Sequence, residues 1–147
     1  MTYGLIVSLL FVSTLGACFE RDLKVSVDGK IPPTFNLSGS GNLNFFVVME
    51  VPPQNQTQKV QRSSDNNIVL WKIAPRNIEN SISKLSPITY GRLPVGFAQL
   101  VPSNGEPTAL IEGKIYEVGG TAYNSNGGFI WITVRDGKIF RVPMPDE

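Results

Sequence analysis

The sequence has no histidine and a single cysteine, Cys18, among its 147 residues. Histidine is the commonest general base and metal ligand, so its absence argues against Ser-His-Asp and Cys-His catalysis and against a zinc site. The sequence also lacks a large excess of either charge, because 13 Lys and Arg residues nearly balance 12 Asp and Glu residues. Without a basic field, nothing attracts nucleic acid. We therefore expect no metal, no cofactor and no nucleic-acid partner.

Long apolar runs are scarce as well. The run at the amino terminus, residues 5–17, is shorter than the roughly 20 apolar residues that a transmembrane helix requires. It carries no charge and ends in Leu15-Gly16-Ala17-Cys18. A short apolar run that ends in small residues is typical of the signal peptide of an exported protein.

The segment Leu15-Gly16-Ala17-Cys18 resembles the lipobox of bacterial lipoproteins, although no Lys or Arg precedes it. The resemblance implies that signal peptidase II recognises Leu15, Gly16 and Ala17, that the Cys18 thiol takes a diacylglyceryl group, and that the mature chain starts at Cys18. Phe19 follows in place of Asp, which in enterobacterial lipoproteins implies delivery to the outer membrane. We expect a protein anchored by lipid to the bacterial cell envelope, at the outer membrane, on its periplasmic or surface side.

The remainder of the chain predicts one β-rich domain. Residues 1–17 are the expected signal peptide, residues 18–22 a lipidated tether and residues 23–147 a domain large enough to bury a core without disulfides. The 14 Gly and 11 Pro residues fit many short strands joined by turns. Within residues 44–51, the apolar residues 45–49 and Val51 fall on both faces of an extended chain, which predicts a central strand covered on both faces. The polar residues 52–67 indicate a mobile loop or a binding loop.

Three further segments predict particular elements. Residues 34–38 follow two prolines and are typical of an edge strand. Residues 68–74 alternate as a strand that places Trp71 in the core. The side chains of Ile78, Ile82 and Leu85 fall at helical spacing after Asn77, a candidate N-cap, which predicts one short helix lying on the sandwich.

The motif Leu110-x-x-Gly113-x-x-Tyr116-x-Val118 is similar to the E–F corner and F strand of fibronectin type III domains. In those domains the tyrosine hydroxyl hydrogen-bonds the backbone of the corner. The resemblance covers residues 110–127 and implies an all-β fold, a single β-sandwich of the fibronectin III or immunoglobulin-like type. The pair Gly119-Gly120 departs from the pattern and indicates a bulge or bend.

The pair Asp136-Gly137 is the strongest hairpin signal of the sequence. A two-residue turn here pairs Arg135 with Lys138 and makes both faces of the hairpin apolar, although a sandwich covers only one. We favour the predicted helix as the cover of the second face, and the alternative is a binding partner. One face carries Phe129, Trp131, Phe140 and Val142, of which Phe129, Trp131 and Phe140 are the candidate partner-binding residues, and the other carries Ile130, Ile132, Val134 and Ile139.

These features favour a non-enzymatic, membrane-tethered β-sandwich that binds a protein or glycan of the envelope or supports an envelope assembly. One alternative is an inhibitor or immunity lipoprotein, since small periplasmic lysozyme inhibitors also present a Ser-Gly turn like residues 38–41. Their paired cysteines, and the aromatic residue that follows their turn, are missing here. Another alternative is a hydrolase that uses Glu112 and Glu117 as its carboxylate pair. The segment Asp65-Asn66-Asn67 lacks the ligand spacing of a calcium loop.

Overall fold

The computed structural model of the protein describes residues 22–53, 67–123 and 125–144. The expected signal peptide, the lipobox with Cys18, and residues 54–66 of the polar segment lie outside the described residues. Within the described part, no helical segment has the length and apolar character that crossing a bilayer requires. Two β-sheets pack against each other, so the predicted all-β sandwich is confirmed.

The described residues form nine strands in two antiparallel sheets. The smaller sheet has the order β1-β2-β5, and the larger has the order β6-β4-β3-β7-β8-β9. The predicted edge strand is wrong, because β2 pairs with β1 on one side and with β5 on the other. The strands are β1 (Lys24–Val27), β2 (Thr34–Ser38), β3 (Leu43–Val51), β4 (Ile68–Pro75), β5 (Ile88–Thr89), β6 (Phe97–Val101), β7 (Ile115–Ala122), β8 (Ser125–Arg135) and β9 (Lys138–Val142).

A line of buried aromatic rings joins the two sheets. The ring centroid of Phe35 on β2 lies 5.4 Å from that of Phe46 on β3, which lies 6.2 Å from Trp71 on β4. Trp71 in turn meets Tyr90 edge to face at 5.5 Å, and such pairs stabilise beyond the area that they bury. The indole Nε1 of Trp71 donates a 3.0 Å hydrogen bond to Gln99, so its polar atom is satisfied. The predicted burial of Trp71 is confirmed.

The turn before β7 contains the hydrogen bond that the tyrosine motif predicts. Tyr116 is fully buried, and its hydroxyl oxygen accepts a 2.7 Å hydrogen bond from the backbone N–H of Ile111. Gly113 has a φ of +77°, a conformation that favours glycine. The corner thereby fixes the start of β7 and the direction in which each of its side chains points.

The predicted short helix is reduced to a single turn, and this turn does not lie over the terminal hairpin. Within residues 77–86, helical structure is confined to Ile82–Lys84, which form a single 3₁₀ turn, and Ile78 is 67% exposed. The Asn77 side chain accepts a hydrogen bond from the backbone N–H of Glu79 as a turn residue would, and such a local side-chain hydrogen bond competes with helix formation. Ile82 is buried in the common core, and the turn packs against β2.

Glycines allow β7, β8 and β1 to approach one another closely. The register between β7 and β8 shifts between Gly120 and Ala122, as the glycine pair predicted. A Cβ atom at Gly128 would collide with the backbone carbonyl of Leu23. Leu23 also donates its N–H to the carbonyl of Asn126 at 3.1 Å. The start of β1 is therefore held against the start of β8.

Candidate functional site

The outer face of the larger sheet is the face that points away from the smaller sheet, and it carries a row of side chains across five strands. Strand pairing sets Val69 opposite Met49, Met49 opposite Glu117, Glu117 opposite Trp131, and Trp131 opposite Val142. Four members of the row are apolar. The single carboxyl group lies at its centre.

The three candidate partner-binding residues lie together on this outer face. Phe129 is paired with Gly119, and a Cβ atom added to Gly119 would collide with the Phe129 ring, so the ring lies directly over the glycine. Phe140 pairs with Thr133 and is 46% exposed. Phe129 and Trp131 are half-buried. The predicted hairpin register, and with it the shared face of these aromatic residues, is confirmed.

The predicted helical cover of this face is wrong. The segment that was to cover it forms the 3₁₀ turn Ile82–Lys84, which packs against β2 of the other sheet. The outer face is partly closed by its own side chains instead. Thr133 is buried there, and its hydroxyl is satisfied by a 2.8 Å hydrogen bond that it donates to the carbonyl of Lys114. Val47 is buried beside Gly119 on the neighbouring strand.

Glu117 is the polar centre of the outer face. Its Oε2 accepts a 2.6 Å hydrogen bond from the side-chain amide of Asn67, which comes directly before β4. Burial of the carboxyl group raises the pKa of Glu117, and the hydrogen bond from Asn67 opposes that rise. A carboxylate held in this way among apolar side chains can accept hydrogen bonds from hydroxyl, amide or ammonium groups of a partner.

A cation lies further along the same face. The Nζ of Lys72, on β4, is 4.2 Å from the centroid of the Phe45 ring, within the range of a cation–π interaction. Lys72 pairs with Val47 on β3. Val47 pairs with Gly119 on β7, and Gly119 pairs with Phe129 on β8, so Lys72 lies in the same row across the sheet as Phe129. The face thus combines apolar and aromatic side chains with the carboxyl group of Glu117 and the ammonium group of Lys72.

At one border of the outer face, the end of β9 and the residues after it form a shallow concavity of about 360 Å³. It lies beside the indole of Trp131 and opens toward solvent. The lining residues are Trp131, Arg141, Val142, Pro143 and Met144. Trp131 is therefore reachable from outside the sheet despite being half-buried.

The two carboxylates that a hydrolase would use are held at different places. The Oε1 of Glu112 accepts a hydrogen bond from the backbone N–H of Asp136 in the β8–β9 turn, whereas Glu117 lies mid-sheet with Asn67. Among residues 22–53, 67–123 and 125–144, no three His, Cys, Asp or Glu residues lie close enough together to hold a metal ion. Asp65, like the lipobox residues Leu15, Gly16, Ala17 and Cys18, lies outside the described residues.

Sequence reasoning found the aromatic residues of this face but missed the position of Glu117 between Met49 and Trp131. The turn signal at Asp136-Gly137 gives the β8–β9 register, but no comparable signal gives the pairing of β7 with β3 and β8. Comparison with protein-family models, with curated proteins and with solved structures found no match to this chain.

Proposed function

We propose that the protein is a lipid-anchored component of the bacterial cell envelope whose β-sandwich is a non-enzymatic binding module. Its partner is a protein or glycan of the envelope, and the outer face around Glu117 and Trp131 is the surface that contacts it. The observation that carries the binding role is the row of Met49, Glu117, Trp131 and Val142 on a sheet face that a sandwich normally leaves to solvent.

The anchor is inferred from the lipobox-like sequence Leu15-Gly16-Ala17-Cys18. A lone cysteine in an exported protein needs an explanation, and acylation supplies one. The apolar segment before it is too short to span a bilayer. Several acyl chains together hold a protein at a membrane where one chain holds it only marginally.

The chemistry of the outer face supports a binding role. Exposed apolar patches on a folded domain usually mark interaction sites, and tryptophan is enriched at the centres of such sites. Glu117 adds a directional acceptor that an aromatic surface by itself lacks. The separate positions of Glu112 and Glu117 weigh against the hydrolase alternative, which needs both groups beside one bond.

Two features support a fibronectin III or immunoglobulin-like ancestry of the sandwich. One is the hydrogen bond between Tyr116 and Ile111, which occupies the place of the tyrosine corner. The other is the strand order: β1, β2 and β5 form one sheet, whereas in the other sheet β3 pairs with the corner strand β7, which in turn pairs with β8. Strands β6 and β9 then extend the larger sheet at its two edges.

The geometry of the Ser-Gly turn at residues 38–41 does not favour the inhibitor alternative. The carbonyl of Ser40 accepts a 2.9 Å hydrogen bond from the Ser125 hydroxyl, and the carbonyl of Gly41 accepts one of 3.0 Å from the N–H of Ile82. An inhibitory loop projects into the site of its target enzyme. This turn is instead tied to two neighbouring segments.

The anchor is tested by metabolic labelling with a fatty acid. We expect label in the wild-type protein and none in Cys18→Ser, which should accumulate as an uncleaved or slowly processed precursor. Equal labelling of both proteins would contradict the lipobox interpretation.

The binding face is tested by photo-crosslinking in living cells, with a photoreactive amino acid placed at Phe140 or, as a matched exposed control, at Lys30. We expect a discrete adduct from position 140 and none from position 30. Protease sensitivity of the added mass identifies a protein partner, and sensitivity to a glycan-cleaving enzyme identifies a glycan. Adducts of equal yield from the two positions, or none from position 140, would overturn the assignment of this face.

A further inference from the structure

The described chain begins at one end of the sandwich, and hydrogen bonds fix that starting point. The Oδ1 of Asp22 accepts a 2.9 Å hydrogen bond from the side-chain amide of Asn126, and the N–H of Leu23 donates to the carbonyl of Asn126. Cys18 precedes Asp22 by four residues. Even a fully extended chain of that length spans only about 14 Å.

A continuous set of hydrogen bonds connects this starting point to the other loops at the same end. The neighbour of Asn126, Ser125, donates its hydroxyl hydrogen to the carbonyl of Ser40. The next residue in that turn, Gly41, accepts from the N–H of Ile82 in the 3₁₀ turn. The turn at residues 38–41 thereby connects the start of the described chain to the 3₁₀ turn.

The 3₁₀ turn forms one wall of a groove of about 490 Å³, and the chain between β5 and β6 forms the other. Among the described residues that line it are two exposed cations, Lys84 and Arg92, and no Asp or Glu. Its rim also carries Leu93, which is 46% exposed, and Val95, which is fully exposed. A groove with this lining attracts an anionic group while its rim offers apolar contact.

Other apolar side chains are exposed at the same end. Tyr123 is 56% exposed, and its N–H donates to the carbonyl of Asn42, next to the Ser40–Gly41 turn. Ile78, in the connection that leads to the 3₁₀ turn, is exposed as well. Tyrosine is enriched where a protein meets the membrane interface, and Lys and Arg are attracted by anionic lipid headgroups.

We propose that this end of the sandwich rests on the membrane, with anionic phospholipid headgroups at the groove of Lys84 and Arg92 and with the side chains of Val95 and Tyr123 in the interfacial layer. The inference rests on the proposed acylation of Cys18, which brings Asp22 within about 14 Å of the lipid. The outer face of the larger sheet then stands to the side of the anchor, where a partner can reach it.

The test uses the processed lipoprotein, expressed from the full gene and reconstituted in phosphatidylcholine vesicles with or without phosphatidylglycerol. Because Cys18 is the single cysteine of the sequence, an introduced cysteine is the sole free thiol once Cys18 is acylated. A fluorophore is attached at Val95→Cys or, as the control, at Lys138→Cys in the β8–β9 turn, and quenching by aqueous acrylamide is measured. We expect protection at position 95 in vesicles that contain phosphatidylglycerol, and full quenching at position 138.

Charge removal provides a second measurement. In Lys84→Gln with Arg92→Gln, the ratio of docked to undocked orientations should fall about fivefold for each charge removed. The matched control, Lys30→Gln with Arg135→Gln, also removes two exposed cations and should leave the protection at position 95 unchanged.

Equal quenching at positions 95 and 138 in vesicle-bound protein would overturn the membrane-facing orientation and leave the anchor standing. Protection that does not depend on phosphatidylglycerol would overturn the headgroup role of the groove. Failure of the protein to float with vesicles, together with two labelled thiols per molecule, would show that Cys18 is not acylated and would overturn both proposals.

Discussion

The hydroxyl of Tyr116 accepts a 2.7 Å hydrogen bond from the backbone N–H of Ile111, five residues earlier in the chain. Burial raises the pKa of Tyr116, so the hydroxyl stays protonated and the corner stays intact across the physiological pH range. With Tyr116 fixed toward the core, Glu117 must point to the opposite face of the sheet, because successive side chains of a strand alternate. The corner thus positions the central residue of the candidate site.

Replacing Tyr116 with Phe should destabilise the domain by about 1–3 kcal/mol, because the backbone N–H of Ile111 loses its partner. Chemical denaturation measures the change. The control is Tyr123→Phe, since the Tyr123 side chain is 56% exposed and its loss of a hydroxyl should be nearly neutral. Equal effects of the two changes would show that the corner hydrogen bond contributes nothing to stability.

The features that could be predicted from the sequence are those set by local chemistry. Asp136 and Gly137 both have positive φ, at 50° and 68°, as the two-residue hairpin turn requires, and the register of β8 with β9 follows from that turn. The corner at Tyr116 likewise spans only five residues. The shared face of Phe129 and Trp131 needed nothing more than the alternation of a strand.

The features that could not be predicted depend on pairing between distant segments. The place of β2 in the middle of its sheet requires β5, a strand of two residues that pairs Ile88 with Phe35 and Thr89 with Thr34 across a large separation in the chain. The position of Glu117 between Met49 and Trp131 requires two such pairings. The prediction of a longer helix failed for another reason. Ile82 is drawn into the core at the end of the sandwich, and a single turn is enough to place it there.

Gly128→Ala should destabilise the domain by about 1–3 kcal/mol, since overpacking against fixed backbone forces neighbouring segments apart. The added Cβ would collide with the carbonyl of Leu23, so β1 and β8 would have to separate at the start of the described chain. Gly29→Ala is the matched control, because its Cβ would lie 3.7 Å from the nearest atom, an ordinary contact. A thermal melt of both variants measures the difference, and a Gly128→Ala domain as stable as Gly29→Ala would contradict the close approach.

The two tryptophans should respond differently to truncation. Trp71→Ala removes a fully buried ring and should cost about 3–5 kcal/mol. Trp131→Ala removes a half-buried ring from the outer face and should cost about 1 kcal/mol while abolishing the crosslink from position 140. Denaturant unfolding of the two variants provides the comparison. A loss of stability at Trp131 as large as that at Trp71 would remove Trp131 from the partner-binding surface and make it a core residue.

Glu117→Gln should make the domain more stable at neutral pH, by up to about 0.5 kcal/mol, as expected for a partly exposed position. The folded pKa of Glu117 lies above its ordinary value of 4.5, chiefly because burial disfavours the charged carboxylate. The folded state therefore holds the proton more tightly than the unfolded state does. The stability that protonated Glu117 contributes is complete below about pH 4.5 and is lost as the pH rises through the folded pKa.

Glutamine at position 117 keeps the acceptor for Asn67 and carries no charge to bury, so the stabilities of the wild-type protein and Glu117→Gln should converge in acid and diverge toward neutral pH. Denaturant unfolding across this range, with the exposed Glu106→Gln as control, measures the difference. A wild-type protein more stable than Glu117→Gln at neutral pH would mean that the carboxylate stabilises the outer face.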